Sequence, residues 1–252
     1  MNGLEHIIWK RHGQSAHNNL NRRVLSLEAP DAEAAYLELL HHHDTVADDS
    51  VWPLTELGRS QARFASGPIQ AYVAPLRPAV FITSGFERAD HTGLEVFPDA
   101  PWQKDSRVAE RNWGKTTHGI TCVHAYREAH AKMLAGAETD PHFIPGHLGE
   151  SVYSRVLGLQ DLFTELGQQY PGGTAVISSH GEMSKMARWA LAGGDPLLWP
   201  AICLATGMGN LMFLHFKRGP SGNLDLVNRF NPLAHPMEET GWQPVDASHL
   251  ST

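Results

Sequence analysis

Ile7-Ile8-Trp9-Lys10-Arg11-His12-Gly13-Gln14-Ser15 is the stretch on which the fold of this chain is read. An apolar run closes on an arginine, a histidine and a glycine. That composition suits a buried strand ending in an anion pocket that holds a nucleophilic imidazole. The Arg-His-Gly triplet is weak evidence alone. It gains force only if distant residues bring a second arginine, a second histidine and a proton donor to the same place.

Outward from that strand, read as Glu5 to Lys10, the polar run Arg11 to Arg23 suits a loop leading into a helix start. Two further short apolar runs end in polar groups. Ala79 to Thr83 lies between Pro78 and Ser84-Gly85, and Thr174 to Ser178 follows the turn Pro171-Gly172-Gly173 and runs into Ser179-His180-Gly181. Helical patterns separate them. Asp31 to Leu40 places Ala34, Leu37 and Leu40 on one face. Thr55 caps a helix reaching about Val73, with Leu57, Ala62, Phe64, Ala65 and Ile69 as core contacts and Gly67-Pro68 as a break or kink.

Phe86 to Phe97, Thr121 to Leu134, Glu182 to Leu191, and Ser151 to Gln169 with Ser151 as cap, complete the helices. Asp105 to Val108 reads as an edge strand. Asn210 to Lys217 and Asn223 to Phe230, around Gly219-Pro220-Ser221-Gly222, read as a hairpin. The tail from Asn231 has no assigned structure.

Strands alternating with helices imply a three-layer α/β/α sandwich with a mostly parallel central sheet, here with an antiparallel edge hairpin. A single domain over residues 1–252 is expected, with a surface insertion at about 25–51. With 42% apolar and 19% charged residues, the composition is that of a globular protein, and the formal charge of -7 argues against general nucleic-acid affinity. Cys122 and Cys203 form no zinc-type or disulfide pattern, which reads as a reducing compartment. No signal-peptide pattern or membrane-length apolar run is visible, so a cytoplasmic protein without a membrane partner is expected.

In a parallel sheet, ligands bind beyond the carboxyl ends of the strands. Arg11-His12, Ser84 with Arg88, and His180 would therefore meet at one edge. The two arginines offer forked donors to a phosphoryl group, and the helix beginning after His180 adds backbone N–H groups. A neutral, aimed His12 can accept the phosphoryl group, while His180 and the arginines offset charge on the transferring oxygens. The leaving alkoxide needs a proton, for which Glu110 is the candidate carboxylic acid. The plainer alternatives are a structural ion-pair cluster at the sheet edge and a surface salt bridge between Glu110 and Arg111.

With these residues assembled, the chain resembles the histidine phosphatase superfamily, phosphoglycerate-mutase-like branch. Arg11-His12-Gly13-Gln14-Ser15 with Asn18 is similar to its first block. Pro53-Leu54-Thr55-Glu56-Leu57-Gly58 with Gln61-Ala62 is similar to its second, and Ser84 to Thr92 to its S-P-x-x-R-A-x-Q-T segment. Glu110 to Gly114, Gly149-Glu150-Ser151 and Ser179-His180-Gly181 follow in the family's order. The resemblance implies phosphorylation of His12, a phosphoryl group held by Arg11, Arg88 and His180, and proton donation by Glu110. It further implies that Asn18, Ser15 and Gly181 line the pocket and that Arg111 contacts substrate. No metal and no organic cofactor are expected. The partner is a phosphorylated small molecule or phosphoprotein.

Two departures concern local geometry: Gly85 and His91 stand where the family usually has proline and glutamine. A third concerns the reaction. Lys115 to His147 contains only Lys115, Arg127 and Lys132 as cations, which disfavours a phosphoglycerate mutase and favours a phosphatase. The mutase, and a phosphate-binding scaffold with little turnover, remain as alternatives. His41-His42-His43-Asp44 lacks metal-ligand spacing and reads as a solvated helix end. His124, His130, His142 and His147 are assigned to surface helices or loops, with a substrate contact open for His118 and His147.

Overall fold

The computed structural model describes residues 3–26, 30–45, 49–114, 120, 122–206 and 208–233, with the side chains of 42–45 excepted. Its strands are β1 (His6–Arg11), β2 (Pro78–Thr83), β3 (Trp102–Lys104), β4 (Thr174–Ser179), β5 (Phe213–Arg218) and β6 (Leu224–Phe230). Its helices are α1 (Ala16–Leu25), α2 (Ala32–Thr45), α3 (Glu56–Val73), α4 (Glu87–Val96), α5 (Val123–Thr139), α6 (Val152–Gln169), α7 (Gly181–Leu191) and α8 (Trp199–Ala205). The sheet order is β3-β2-β4-β1-β5-β6, parallel from β3 to β1, with β5 and β6 antiparallel at the far edge. This is the α/β architecture expected from the strand and helix pattern.

Alternation along each buried strand divides the core between two faces. Ile7, Trp9, Val80, Ile82, Ala175 and Ile177 face the layer of α6, α7 and α8. Ile8 and Val176 point the other way, onto Ala62, Ala65, Ile69 and Val73 of α3. A separate small core joins Leu20 and Val24 of α1, Ala35, Tyr36 and Leu39 of α2, Trp52, and Tyr126 of α5. The segment read as a surface insertion thus contains a helix packed on α1. Ala35, Tyr36 and Leu39 form its buried face, whereas Leu37 is exposed.

Other local readings need correction. Asp105 to Val108 is not a strand. The Asp105 carboxylate accepts the Arg107 backbone N–H at 2.8 Å and caps a 3-10 turn over Ser106–Val108, while the edge strand lies just before it. The first hairpin strand starts at Phe213 because Leu211 adopts φ 59°, which breaks extended pairing. Helix α3 runs through Pro68; the missing hydrogen bond falls on the side of exposed Phe64 and Gly67, where water can take the carbonyl. Phe64 and Leu57 are accordingly surface residues rather than core contacts. Helix α5 extends to Thr139, and α8, absent from the sequence reading, follows a turn capped by Asp195 on the Leu197 N–H.

Among the described residues no helix is long and apolar enough to cross a membrane. Cys122 and Cys203 are both free, and no group of potential metal ligands is found among the described residues.

Candidate active site

Register brings the polar strand ends together. β1 and β4 are adjacent and parallel with Arg11 opposite Ser179, so His12 and His180 are each the first residue beyond the pair. The His12 N–H donates to the Ser179 carbonyl at 3.0 Å, and the two imidazole centroids lie 5.2 Å apart. On the other side of β4, Thr83 is opposite Ser178, and the Ser84 N–H donates to the Ser178 carbonyl at 3.3 Å. Glu110 arrives from the loop after the 3-10 turn, which Ser179 ties down through its Oγ to the Val108 carbonyl at 2.6 Å.

The glycines of the first two blocks serve close packing. A Cβ on Gly13 would lie 2.6 Å from the Gly58 carbonyl oxygen, and one on Gly58 only 2.0 Å from that of Gln14. The loop after His12 is therefore pressed against the start of α3. Thr55 N–H and Gln61 Oε1 take the Gln14 carbonyl and N–H, each at 3.0 Å, and the Gly13 N–H donates to Thr92 Oγ1 at 3.1 Å. The second block holds the first in place rather than touching the site.

His12 is buried, and burial together with Arg88 and Arg11 holds its pKa well below the ordinary imidazole value. Its Nδ1 lies 2.6 Å from the Gly13 carbonyl, which can only accept, so Nδ1 carries the proton and Nε2 keeps the lone pair. His180 is held neutral for the same reasons: burial first, then Arg88 and the neighbouring His12 and Arg11. Its Nε2 meets Ser84 Oγ at 3.0 Å, and its Nδ1 lies 3.7 Å from Glu110 Oε2. Burial and the charge of Glu182 push the Glu110 carboxyl up to about 7, against the opposing pull of Arg88 and Arg11.

Of these residues His12 and Glu110 line a cavity of about 710 Å³, together with Arg11, Asn18, Arg88 and Gly181, whereas His180 is fully buried and is not among its lining residues. Arg11 Nε, Asn18 Oδ1, Glu110 Oε1 and His180 Nδ1 are all buried without a hydrogen-bond partner. An unpaired buried polar atom costs about 1–3 kcal/mol, so such a group clustered at one cavity is the mark of a ligand site. Gly181 lets α7 start close against Arg11: a Cβ there would stand 3.1 Å from the Arg11 Nε, so the side chain would have to give by a few tenths of an ångström.

Several expectations fall elsewhere. The Ser15 hydroxyl is buried and caps α1 by accepting the Asn18 N–H at 3.2 Å, so it does not line the cavity. Arg111 borders the cavity, but its guanidinium is buried and committed: to Glu182 at 2.7 Å, to the Glu150 carbonyl at 3.2 Å, and over the Trp113 ring at 4.1 Å. Its charge is thus compensated within the protein by Glu182. Glu150 is structural, accepting the Asn112 N–H at 2.8 Å, and Ser151 caps α6 as read from the sequence. Gly85 sits at φ 80°, a value proline cannot adopt, and the following Phe86 packs edge-on against His180 with centroids 5.0 Å apart.

Sequence reasoning missed two features. Asp49 grips Arg88 through its carbonyl at 2.7 Å and its Oδ2 at 2.9 Å, although nothing in the run Val46 to Ser50 signals a site. His130, assigned to the surface, lines the cavity half-buried beside Tyr126; the i, i+4 spacing of these residues on α5 is the signal that would have found it. His147 does not line the cavity, while His118 and the tail beyond Leu233 lie outside the described residues.

Comparison with known proteins bears on the fold and the family. The chain is similar in structure to a mycobacterial glucosyl-3-phosphoglycerate phosphatase in complex with VO3, with a TM-score of 0.63 and 23% identity over 88% of this chain and 96% of that one. It is similar to a phosphoserine phosphatase variant from Entamoeba histolytica bound to phosphoserine (TM-score 0.60, 18% identity, 90% and 97% covered). YhfR of Bacillus stearothermophilus gives a TM-score of 0.62 at 18% identity, with 88% and 94% covered. At these identities the likeness is one of fold. No curated protein sequence matches significantly. The family model for the histidine phosphatase superfamily (branch 1) matches residues 42–224, beginning after the Arg11-His12-Gly13 motif. With the match spanning most of the chain and β1 carrying His12 to the side of His180, this protein belongs to the histidine phosphatase superfamily.

Proposed function

We propose that this member of the superfamily hydrolyses phosphomonoesters through a phosphohistidine at His12. The observation that carries the reading is the Nδ1 contact of a neutral His12 with the Gly13 carbonyl, which leaves Nε2 as the nucleophile beside two arginines. The Nε2 lone pair attacks phosphorus, and the bond from phosphorus to the ester oxygen breaks. Glu110, protonated near neutral pH, gives its proton to the departing alkoxide. The resulting carboxylate then takes a proton from water, whose oxygen attacks the phosphohistidine; the N–P bond breaks and phosphate leaves. Arg11, Arg88 and the backbone N–H groups from Gly181 onward offset the charge on the equatorial oxygens, with Asn18 at the rim. His180 contributes through Nδ1, the nitrogen turned toward Glu110.

A phosphorylated small molecule is the substrate type named for both phosphatases above, and it suits a cavity of this size. The test is hydrolysis of p-nitrophenyl phosphate without added metal, with trapping of the acid-labile, base-stable phosphoenzyme. We expect His12→Ala to lose both turnover and label. Turnover that persists in His12→Ala sinks the assignment. Phosphoglycerate interconversion that depends on a bisphosphate primer would instead identify a mutase.

A further inference from the structure

Beyond the phosphate cradle, residues of α5 and α8 also line the cavity, and this part of its wall forms a lobe of distinct chemistry. Tyr126, His130, Met133 and Ala137 recur at spacings of four, three and four along α5 and so share the face that lines it. Trp199 and Cys203 of α8 line it as well, and the Trp199 indole N–H ties the two helices by donating to the Ala137 carbonyl at 2.7 Å. The polar groups in this wall are uncharged: the Tyr126 hydroxyl donates to Asn21 Oδ1 at 3.1 Å, and burial keeps His130 in its neutral form near pH 7.

The charges around the lobe are already balanced. Arg111 is held by Glu182 at 2.7 Å, and Lys185 by Glu138 at 3.4 Å. Arg127, one of the few cations in its segment, is turned away and donates to the carbonyls of Val24 and Ser26 at 2.7 and 2.6 Å. Lys132 is exposed and does not line the cavity. Among the described residues, then, the lobe offers no uncompensated positive charge, while Glu138 and Glu182 border it. Among the described residues, a carboxylate entering it would lose water and find Arg111 and Lys185 already paired with glutamates.

We infer that this lobe receives the alcohol portion of the substrate and selects phosphomonoesters whose alcohol is uncharged and partly apolar, disfavouring esters that carry a carboxylate. The inference rests on the phosphatase reading above. It separates this chain from substrates such as phosphoserine, in which a carboxylate accompanies the phosphate.

The experiment compares kcat/KM of the full-length protein within two matched pairs: glycerol 1-phosphate against 3-phosphoglycerate, and phenyl phosphate against 4-carboxyphenyl phosphate. The expected result is a preference of about 10-fold or more for the uncharged member of each pair. Equal or reversed ratios, with turnover intact, overturn the lobe assignment and leave the phosphatase reading standing. Absence of turnover on every ester, including p-nitrophenyl phosphate, overturns the phosphatase reading and this inference with it. A second arm uses Leu134→Arg, a partly exposed position on the lobe wall. The added cation is expected to move both ratios toward unity, and ratios that stay unchanged in a folded variant count against the lobe as the selecting surface.

Discussion

Asp49 Oδ2 lies 2.9 Å from Nη2 of Arg88, and the Asp49 carbonyl takes Nη1 of the same guanidinium at 2.7 Å. A carboxylate from the 3-10 turn Asp49–Val51 thus sits on an arginine of the proposed phosphate cradle, itself stacked over the Phe86 ring at 4.9 Å. An incoming phosphoryl group shares or displaces this pair. Since Asp49 is partly exposed, the pair is worth only about 1 kcal/mol. Asp49→Ala is therefore expected to tighten inhibition by vanadate and inorganic phosphate about fivefold, read as Ki against p-nitrophenyl phosphate. Weaker inhibition would mean that Asp49 orients Arg88 for the ligand instead of competing with it.

Glu110 makes activity depend on pH in a leaving-group-specific way. Its carboxyl titrates at about 7, so the proton-donating form is lost as pH rises through that value. For alkyl phosphates, kcat/KM is expected to fall above about pH 7, and Glu110→Gln to lose about 100-fold or more. For p-nitrophenyl phosphate, whose leaving group needs no proton, both effects should be small. Equal losses on the two substrates would remove Glu110 from the proton-donor role.

The same shift bears on stability, with a definite sign. Folding raises this carboxyl above its ordinary value of 4.5, so the folded state binds the proton more tightly than the unfolded one. Glu110's contribution is fully present below 4.5 and is lost as pH rises through about 7. In Glu110→Gln, denaturant midpoints are expected to decline less between pH 5 and pH 8 than in wild type.

Arg111 is expected to matter for folding more than for substrate binding. Arg111→Met leaves the buried Glu182 carboxylate without its cation, a loss of about 3–5 kcal/mol by chemical denaturation. The double variant Arg111→Met with Glu182→Leu should recover much of that loss, because the buried charge goes with its partner. A large rise in KM with unchanged stability in the single variant would restore Arg111 as a substrate contact.

Gly58→Ala tests whether the loop behind His12 is held by packing. The added methyl would stand 2.0 Å from the Gln14 carbonyl, so the loop must move. A loss of about 100-fold in kcat is expected, with phosphate still bound, because a displacement of about 1 Å of a nucleophile has that order of cost.

Much of this site was legible in the chain because strand ends are local patterns. Arg11, His12 and His180 each follow an apolar run directly, and Arg88 lies in the first turn of the helix after another, so the parallel-sheet rule is enough to group them. Glu110 was reached through the chemistry, which requires an acid, and through the resemblance of its block. Asp49 was not legible. Its position on Arg88 depends on how α2 packs against α1 and α5, and contacts of that range leave no periodic trace. The ion pair of Arg111 was not legible for a related reason: its partner, Glu182, lies far along the chain in the first turn of α7.

The sequence by itself determined the alternation of buried strands and helices, and with it the parallel sheet and the edge at which His12, His180 and both arginines meet. Hydrophobic period and turn chemistry act over a few residues, and those are written directly in the chain. The tertiary structure alone decided which of the gathered charges are spoken for and which polar atoms are left facing the cavity. Charge compensation is a property of distance in space. Arg111 with Glu182 and Arg88 with Asp49 become pairs only once the packed layers bring them within reach.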